Sequence, residues 1–325
     1  MVGRRRPRQV VVSQSRIALK LEYDGTKFSG SQMQSKTRTV QEDIEKALAS
    51  YFRTEGRRIV AVFSGRTDAG VHARSQIAHF DLLLSDLDRA INKHIDAANL
   101  AASNLVIDSS ATLKSTSSSD RLPARLDEQT LRTLCWSLNG LLARDIAVVD
   151  AQVVPDQFHA RFSAHRRTYV YRILNRTQRA ALGHNAQYFV HSQLNLGHMQ
   201  AAANCLVGRH DFRAFKSSNS DEGSTLCAVE RAELLNLGEG ELEFWISANH
   251  FVYNMVRIIV GTLVDIGLGK REPSALSHAL TGKDRRLAGP TAPPSGLCLH
   301  SIDYPDEFNL FQRGSISEPA KSQEI

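Results

Sequence analysis

The sequence predicts an α+β protein in which helices cover one face of a largely antiparallel sheet. Three observations point there. In residues 16–23 the apolar Ile17, Leu19, Leu21 and Tyr23 alternate with Ala18, Lys20 and Glu22, as in a strand with one buried face. After Thr39 and after Asp127, apolar side chains return instead at helical spacing. The order strand, helix, strand, strand then occurs in both halves of the chain, which favours a helix layer on a mostly antiparallel sheet. No sequence repetition accompanies it, so the halves share an order of elements only.

The first half opens with residues 1–15, read as a flexible basic arm. The strand at 16–23 ends in the turn Asp24-Gly25. Beyond a polar loop containing Gly30-Ser31-Gln32-Met33-Gln34, Thr39 and Glu42 stand at capping-box spacing ahead of Val40, Ile44, Ala47, Leu48, Tyr51 and Phe52, so a helix begins there. Two runs of β-formers, 59–63 and 76–82, enclose a loop. Leu87, Ile91, Ile95 and Ala98 keep helical spacing in 87–100, but 109–119 is serine-rich with little to bury and reads as disordered, within a surface insertion at about 85–125. Asp127 caps a helix carrying Leu131, Leu134, Leu138 and Leu141, and 146–154 is a strand.

In the second half, Tyr169, Tyr171 and Ile173 share one face of a strand at 168–174. Leu196, Met199, Ala203 and Leu206 mark a helix that closes at Gly208. Residues 226–237 and 242–248 form a hairpin about Gly238-Glu239-Gly240. Helices follow from about Asn254 to Leu268 and from Pro273 to Gly282, then a last strand at 296–303. Residues 306–325 read as a flexible tail.

A chain of 325 residues, 42% apolar, fits one large domain or two medium ones. No apolar run approaches the roughly 20 residues that span a bilayer, and residues 1–16 lack the apolar core of a secretory signal. The chain therefore reads as soluble and cytoplasmic, although its Arg-rich start also fits an organellar targeting segment. Cys135, Cys205, Cys227 and Cys298 form no C-x-x-C pair; they read as reduced thiols, and no metal or cofactor site is expected. The net charge of +6 is unevenly spread. Arg4, Arg5, Arg6, Arg8 and Arg16 precede the first acid, and Arg161, His165, Arg166, Arg167 and Arg172 form a second cluster. Such clusters suit a phosphate backbone, and they suit a solvated surface as well.

The chemistry concentrates in the loop Ser64-Gly65-Arg66-Thr67-Asp68-Ala69-Gly70-Val71-His72-Ala73-Arg74. Gly65 and Gly70 permit unusual backbone angles, and Asp68 and Arg66 lie between them. A carboxylate on a short loop held by two strands is how a nucleophile or general base is displayed. Asp and Gly are also plain turn residues, so turn chemistry stands beside that reading. The 254–268 helix is apolar almost all round and should be buried, yet Arg257 lies in its first turn. A guanidinium there needs a partner. Asp68 is one candidate, whose pKa Arg257 would then depress; another acid, or an arginine that snorkels out of the helix end, also satisfies the requirement. A metal hydrolase built on Asp68, His72 and His79 would need ligands at spacings that match no known metal pattern.

Gly65-Arg66-Thr67-Asp68-Ala69-Gly70-Val71-His72-Ala73 resembles the signature of the TruA-type tRNA pseudouridine synthases. Tyr23-Asp24-Gly25, Thr39-Val40-Gln41-Glu42, the block from Phe158 to Ala164, the block from Phe251 to Gly261, Asp284-Arg285 and Ala288-Gly289-Pro290-Thr291-Ala292-Pro293 resemble further family blocks in family order, so about 16–305 is covered. The resemblance implies two ferredoxin-like-related α+β subdomains, 16–165 and 166–305, whose sheets join around a central cleft. It implies a homodimer, without cofactor or metal, that converts uridine to pseudouridine at positions 38 to 40 of the tRNA anticodon stem-loop. Asp68 matches the catalytic aspartate, Arg257 its partner, Tyr169 the tyrosine that stacks on the flipped base, and Arg66 the arginine associated with flipping. Arg161, Arg166 and Arg167 are the expected phosphate contacts. Gly30-Ser31-Gln32 departs from the usual Gly-Trp-Gln, so an aromatic is missing near the RNA or under the loop. A non-catalytic RNA-binding protein on the same scaffold is the alternative that this departure favours.

Overall fold

A computed structural model describes residues 14–54, 56–83, 85, 86, 89, 126–217 and 223–311. The expected helix at 87–100, the serine-rich tract, and most of the arm and tail lie outside them. The first half runs β1 (Gln14–Tyr23), α1 (Val40–Phe52), β2 (Val62–Phe63), β3 (His72–Leu83), α2 (Glu128–Leu141) and β4 (Ile146–Val154). The second runs β5 (Arg166–Asn175), β6 (Tyr188–Val190), α3 (Leu196–Ala203), β7 (Gly208–Asp211), β8 (Leu226–Gly238), β9 (Glu241–Ala248), α4 (Met255–Gly267), α5 (Ala275–Gly282) and β10 (Leu297–Asp303). The strands form one mostly antiparallel sheet in the order β4-β1-β3-β10-β5-β9-β8-β7, with β2 on β3 and β6 on β5. No helix among the described residues is long and apolar enough to cross a membrane.

The last strand joins the two halves. β10 pairs antiparallel with β5 along its length and parallel with β3 through Cys298↔His72 and Leu299↔Ala73. One core packs α1 and α2 on the first-half strands, through residues such as Leu19, Ile44, Leu48 and Leu134. A second packs α3, α4 and α5 on the others, through Phe244, Ile259 and Leu276. Tyr169, on β5, touches both cores and so marks the seam.

Several boundaries differ from expectation for identifiable reasons. Only Val62 and Phe63 of the run 59–63 pair with β3, because Ala61 N–H donates instead to Glu45 Oε1 at 3.0 Å and Ala61 C=O accepts from Gln41 Nε2 at 3.1 Å. Helix α1 has taken the ladder bonds. At its start Thr39 Oγ1 accepts from Glu42 N–H at 3.3 Å, while the Glu42 carboxylate pairs with Lys46 at 2.6 Å. The start of β3 lies inside the expected loop, since His72 and Ala73 are claimed by β10. Residues 14 and 15, expected in the arm, extend β1 against Leu83 and Leu82. Residues 306–308, expected in the tail, form a 3-10 turn whose Phe308 is buried 5.2 Å from Phe158, ring to ring. An aromatic with a ready apolar seat does not stay in solvent.

Candidate active site

Residues 64–71, between β2 and β3, carry Asp68 over a buried polar network. Gln76, on β3, donates from Nε2 to the Gly65 carbonyl at 3.0 Å and to the Tyr23 hydroxyl at 3.4 Å. Its Oε1 accepts from the Ser64 hydroxyl. Tyr23 in turn bonds Thr67 Oγ1 at 2.8 Å. Burial pushes the Tyr23 phenol up to about 12, so the network stays neutral. Of the two loop glycines, Gly70 takes a positive φ of 78°, whereas Gly65 does not and serves through its carbonyl.

Ser31 lies beneath the same loop, fully buried. Its N–H donates to the Thr67 carbonyl at 3.0 Å and its Oγ accepts from Thr67 N–H at 2.8 Å. The neighbouring Gly30 has φ 100°, and a Cβ there would come within 2.8 Å of the Thr67 carbonyl oxygen. The residue that departs from the family pattern thus clamps the residue before Asp68. Ser31 therefore supports the loop directly, without an aromatic ring at that position.

Arg257 leaves the first turn of α4 toward the loop. Its Nη1 lies 3.6 Å from Asp68 Oδ2 and donates to Asn254 Oδ1 at 2.8 Å, while Nε donates to the Ala292 carbonyl at 2.8 Å. Asn254, at φ 63°, makes no side-chain cap for α4. Its amide bridges Arg257 and the Ser217 hydroxyl instead. The expectation that Arg257 leaves Asp68 with a depressed pKa is corrected. Burial is the larger influence and lifts the carboxyl above its ordinary value, with Arg257 pulling it part of the way back.

A cavity of about 1170 Å³ opens over Asp68, lined also by Arg66, Arg161, Arg167, Tyr169 and Phe251 among others. The Tyr169 ring stands edge-on to Phe251 at 5.0 Å, and burial raises its phenol so that it stays protonated. Tyr171 is fully buried and donates to the Pro293 carbonyl at 2.7 Å. Of the two tyrosines on that face, only Tyr169 lines the cavity.

The arginines divide. Arg66 and Arg161 are exposed on the cavity wall. Arg167 donates to the carbonyls of Ala164, Asn249, Ser64 and Arg161 at 2.7–3.2 Å, which ties β5 to the head of the Asp68 loop. Arg166 pairs with Asp303 and Glu230 and is not among the residues that line the cavity. The histidines turn elsewhere: His72 Nδ1 accepts from Gly25 N–H and its Nε2 donates to the Asn185 carbonyl, while His79 Nδ1 accepts from Ala160 N–H. No metal-holding group of three or more His, Cys, Asp or Glu occurs among the described residues.

Comparison with known proteins decides the family. A tRNA pseudouridine synthase family profile matches residues 202–305. The chain is 37% identical over 288 residues to tRNA pseudouridine synthase A of Orientia tsutsugamushi strain Boryong, covering 87% of this chain and 98% of that one. The Halalkalibacterium halodurans enzyme of the same name is 38% identical, covering 87% and 90%, and that of Chromobacterium violaceum 35%, covering 92% and 96%. The chain belongs to the tRNA pseudouridine synthase family. As a tRNA pseudouridine synthase it is an isomerase acting on tRNA. Within this synthase, the sequence argument missed Gln76, Ser64 and Asn254. A glutamine set among Ile77, Ala78 and Phe80 was the available signal for the first, since a buried amide needs partners.

Proposed function

We propose that this tRNA pseudouridine synthase isomerises uridine in the anticodon stem-loop, at positions 38 to 40, with Asp68 as nucleophile. The observation that carries the reading is the Asp68 carboxylate, 3.6 Å from Arg257 Nη1 in a cavity flanked by Tyr169. A base must leave its stack before its glycosidic bond can be rearranged, and an aromatic face compensates the lost stacking. Tyr169 supplies that face, Arg66 helps displace the base, and Arg161 contacts a phosphate. Asp68 attacks C6 of the uracil or C1′ of the ribose, the N1–C1′ bond breaks and the base rotates. C5 then bonds to C1′, the bond to Asp68 breaks, by displacement from C1′ or elimination from C6, and the C5 proton leaves while N1 gains one.

The strand orders β4-β1-β3-β2 and β10-β5-β9-β8 support two ferredoxin-like-related subdomains, 16–165 and 166–305. The four free cysteines suit a reducing compartment, the cytoplasm, where we place a homodimer. The test is pseudouridine formation in an anticodon stem-loop transcript, in EDTA. Asp68→Asn should abolish it and leave tRNA binding nearly intact. Full activity in the Asn variant would remove Asp68 from the chemistry.

A further inference from the structure

A second cavity, of about 460 Å³, opens beside the catalytic one and is lined by Arg213, Lys216, Ser217, Lys283, Asp284, Arg285 and Arg286. Among the described residues five cations and one carboxylate, Asp284, line it, and a second carboxylate, Asp211, reaches two of the cations from outside the lining. Asp211, mostly buried, lies 3.3 Å from Lys283 and 3.9 Å from Arg213. Asp284 pairs with Arg286 at 2.6 Å. Arg285 is held by the carbonyls of Ala288 and Gly289, which orient it without neutralising it. Arg213, Lys283 and Arg286 remain largely exposed.

Two links tie this basin to the chemistry. Lys216 lines both cavities. Ser217, on the basin wall, bonds the Asn254 amide at 2.9 Å, and Asn254 accepts from Arg257, the partner of Asp68. A flipped nucleotide is followed by a phosphodiester within one backbone step, and that phosphate needs cations next to the base cavity.

We propose that this basin seats a backbone phosphate of the tRNA strand that enters the catalytic cavity. The proposal rests on the tRNA synthase reading. It assigns Arg213, Lys283 and Arg286 to docking, and Ser217 and Asn254 to the connection between docking and Arg257.

The test compares the parent protein with Arg213→Gln/Lys283→Gln/Arg286→Gln and with the charge-preserving Arg213→Lys/Lys283→Arg/Arg286→Lys. Affinity for unmodified tRNA is measured across a salt series, with KM and kcat for pseudouridine formation and a thermal melt of each protein. Each lost phosphate contact should flatten the slope of log affinity against log salt by about 0.7–0.9. The Gln variant should lose about one such contact or more, raise KM roughly tenfold and recover most of its turnover at saturating tRNA. The charge-preserving variant should keep the parent slope. A Gln variant that melts like the parent and keeps its slope and KM overturns the proposal. So does saturable binding of inorganic phosphate at constant ionic strength, lost in the Gln variant while its tRNA slope is unchanged, since the basin would then serve a free anion. A parent protein that forms no pseudouridine in any tRNA would instead overturn the tRNA synthase reading on which the proposal rests.

Discussion

The charge on Asp68 is set by two opposed influences, and replacing Arg257 removes one of them. With Nη1 3.6 Å from Oδ2 and both side chains mostly buried, the attraction is about 1.2 kcal/mol if the gap behaves as water and about 4.6 kcal/mol at an effective dielectric near 20. Divided by about 1.4 kcal/mol per pK unit, that is about 1 to 3 units. Burial already lifts the Asp68 carboxyl. Arg257→Met removes the opposing cation, so the pKa rises further and the Asp68 carboxylate is lost from a higher starting point as pH falls. Initial rates of pseudouridine formation between about pH 5 and 9 should show the acid limb of kcat/KM moved up by about 1 to 3 units in Arg257→Met. In Arg257→Lys it should remain near the parent position. At pH values above the displaced limb the Met variant should regain most of its activity. A Met variant that is folded but depressed equally at every pH would refute the reasoning, because Arg257 would then act otherwise than through the charge of Asp68.

Three further outcomes follow from the geometry. Tyr169→Ala should lower kcat about 10- to 100-fold, the value of one base stack, whereas Tyr169→Phe should stay near the parent; equal losses would mean that the hydroxyl matters. Ser31→Ala strands the buried Thr67 N–H, which costs about 1–3 kcal/mol, and should lower kcat with little change in KM; an unchanged denaturant midpoint would refute this role. Burial holds His79 at about 4, where its Nδ1 accepts from Ala160. An unfolded histidine titrates near about 6.5, so this group contributes stability that is whole above that pH. It is lost as pH falls toward about 4, by up to about 3 kcal/mol. Denaturant midpoints of the parent should fall across that window more steeply than those of His79→Gln.

The legible parts of the fold were those whose signals are local. The alternation of β1, the caps at Thr39 and Asp127, the hairpin about residues 238–240 and the apolar circumference of α4 all appear in the sequence within a few residues of where they act. What escaped was decided at a distance. Residues 59–61 have strand composition but lose their ladder to Glu45 and Gln41 of a helix. His72 and Ala73 look like loop until β10 arrives from more than two hundred residues away. Of the site, Asp68 was readable as a presentable carboxylate. Its support was not, because Ser31, Tyr23 and Gln76 are brought beneath it by tertiary packing, and so was the sign of its pKa shift, which depends on burial.

β10 has a consequence for how the molecule is made. The strand that lies between β3 and β5 follows both of them in the chain, and Arg257 and Ala292 follow Asp68 by a similar distance. Without β10 the start of β3 at His72 and Ala73 and most of β5 lose their partner on that side, leaving the kind of edge that pairs wrongly with other chains. Asp68 precedes its counter-ion, Arg257, by 189 residues of chain. A chain cut before residue 297 therefore lacks the strand that joins its two halves, and should be an inactive, edge-exposed product.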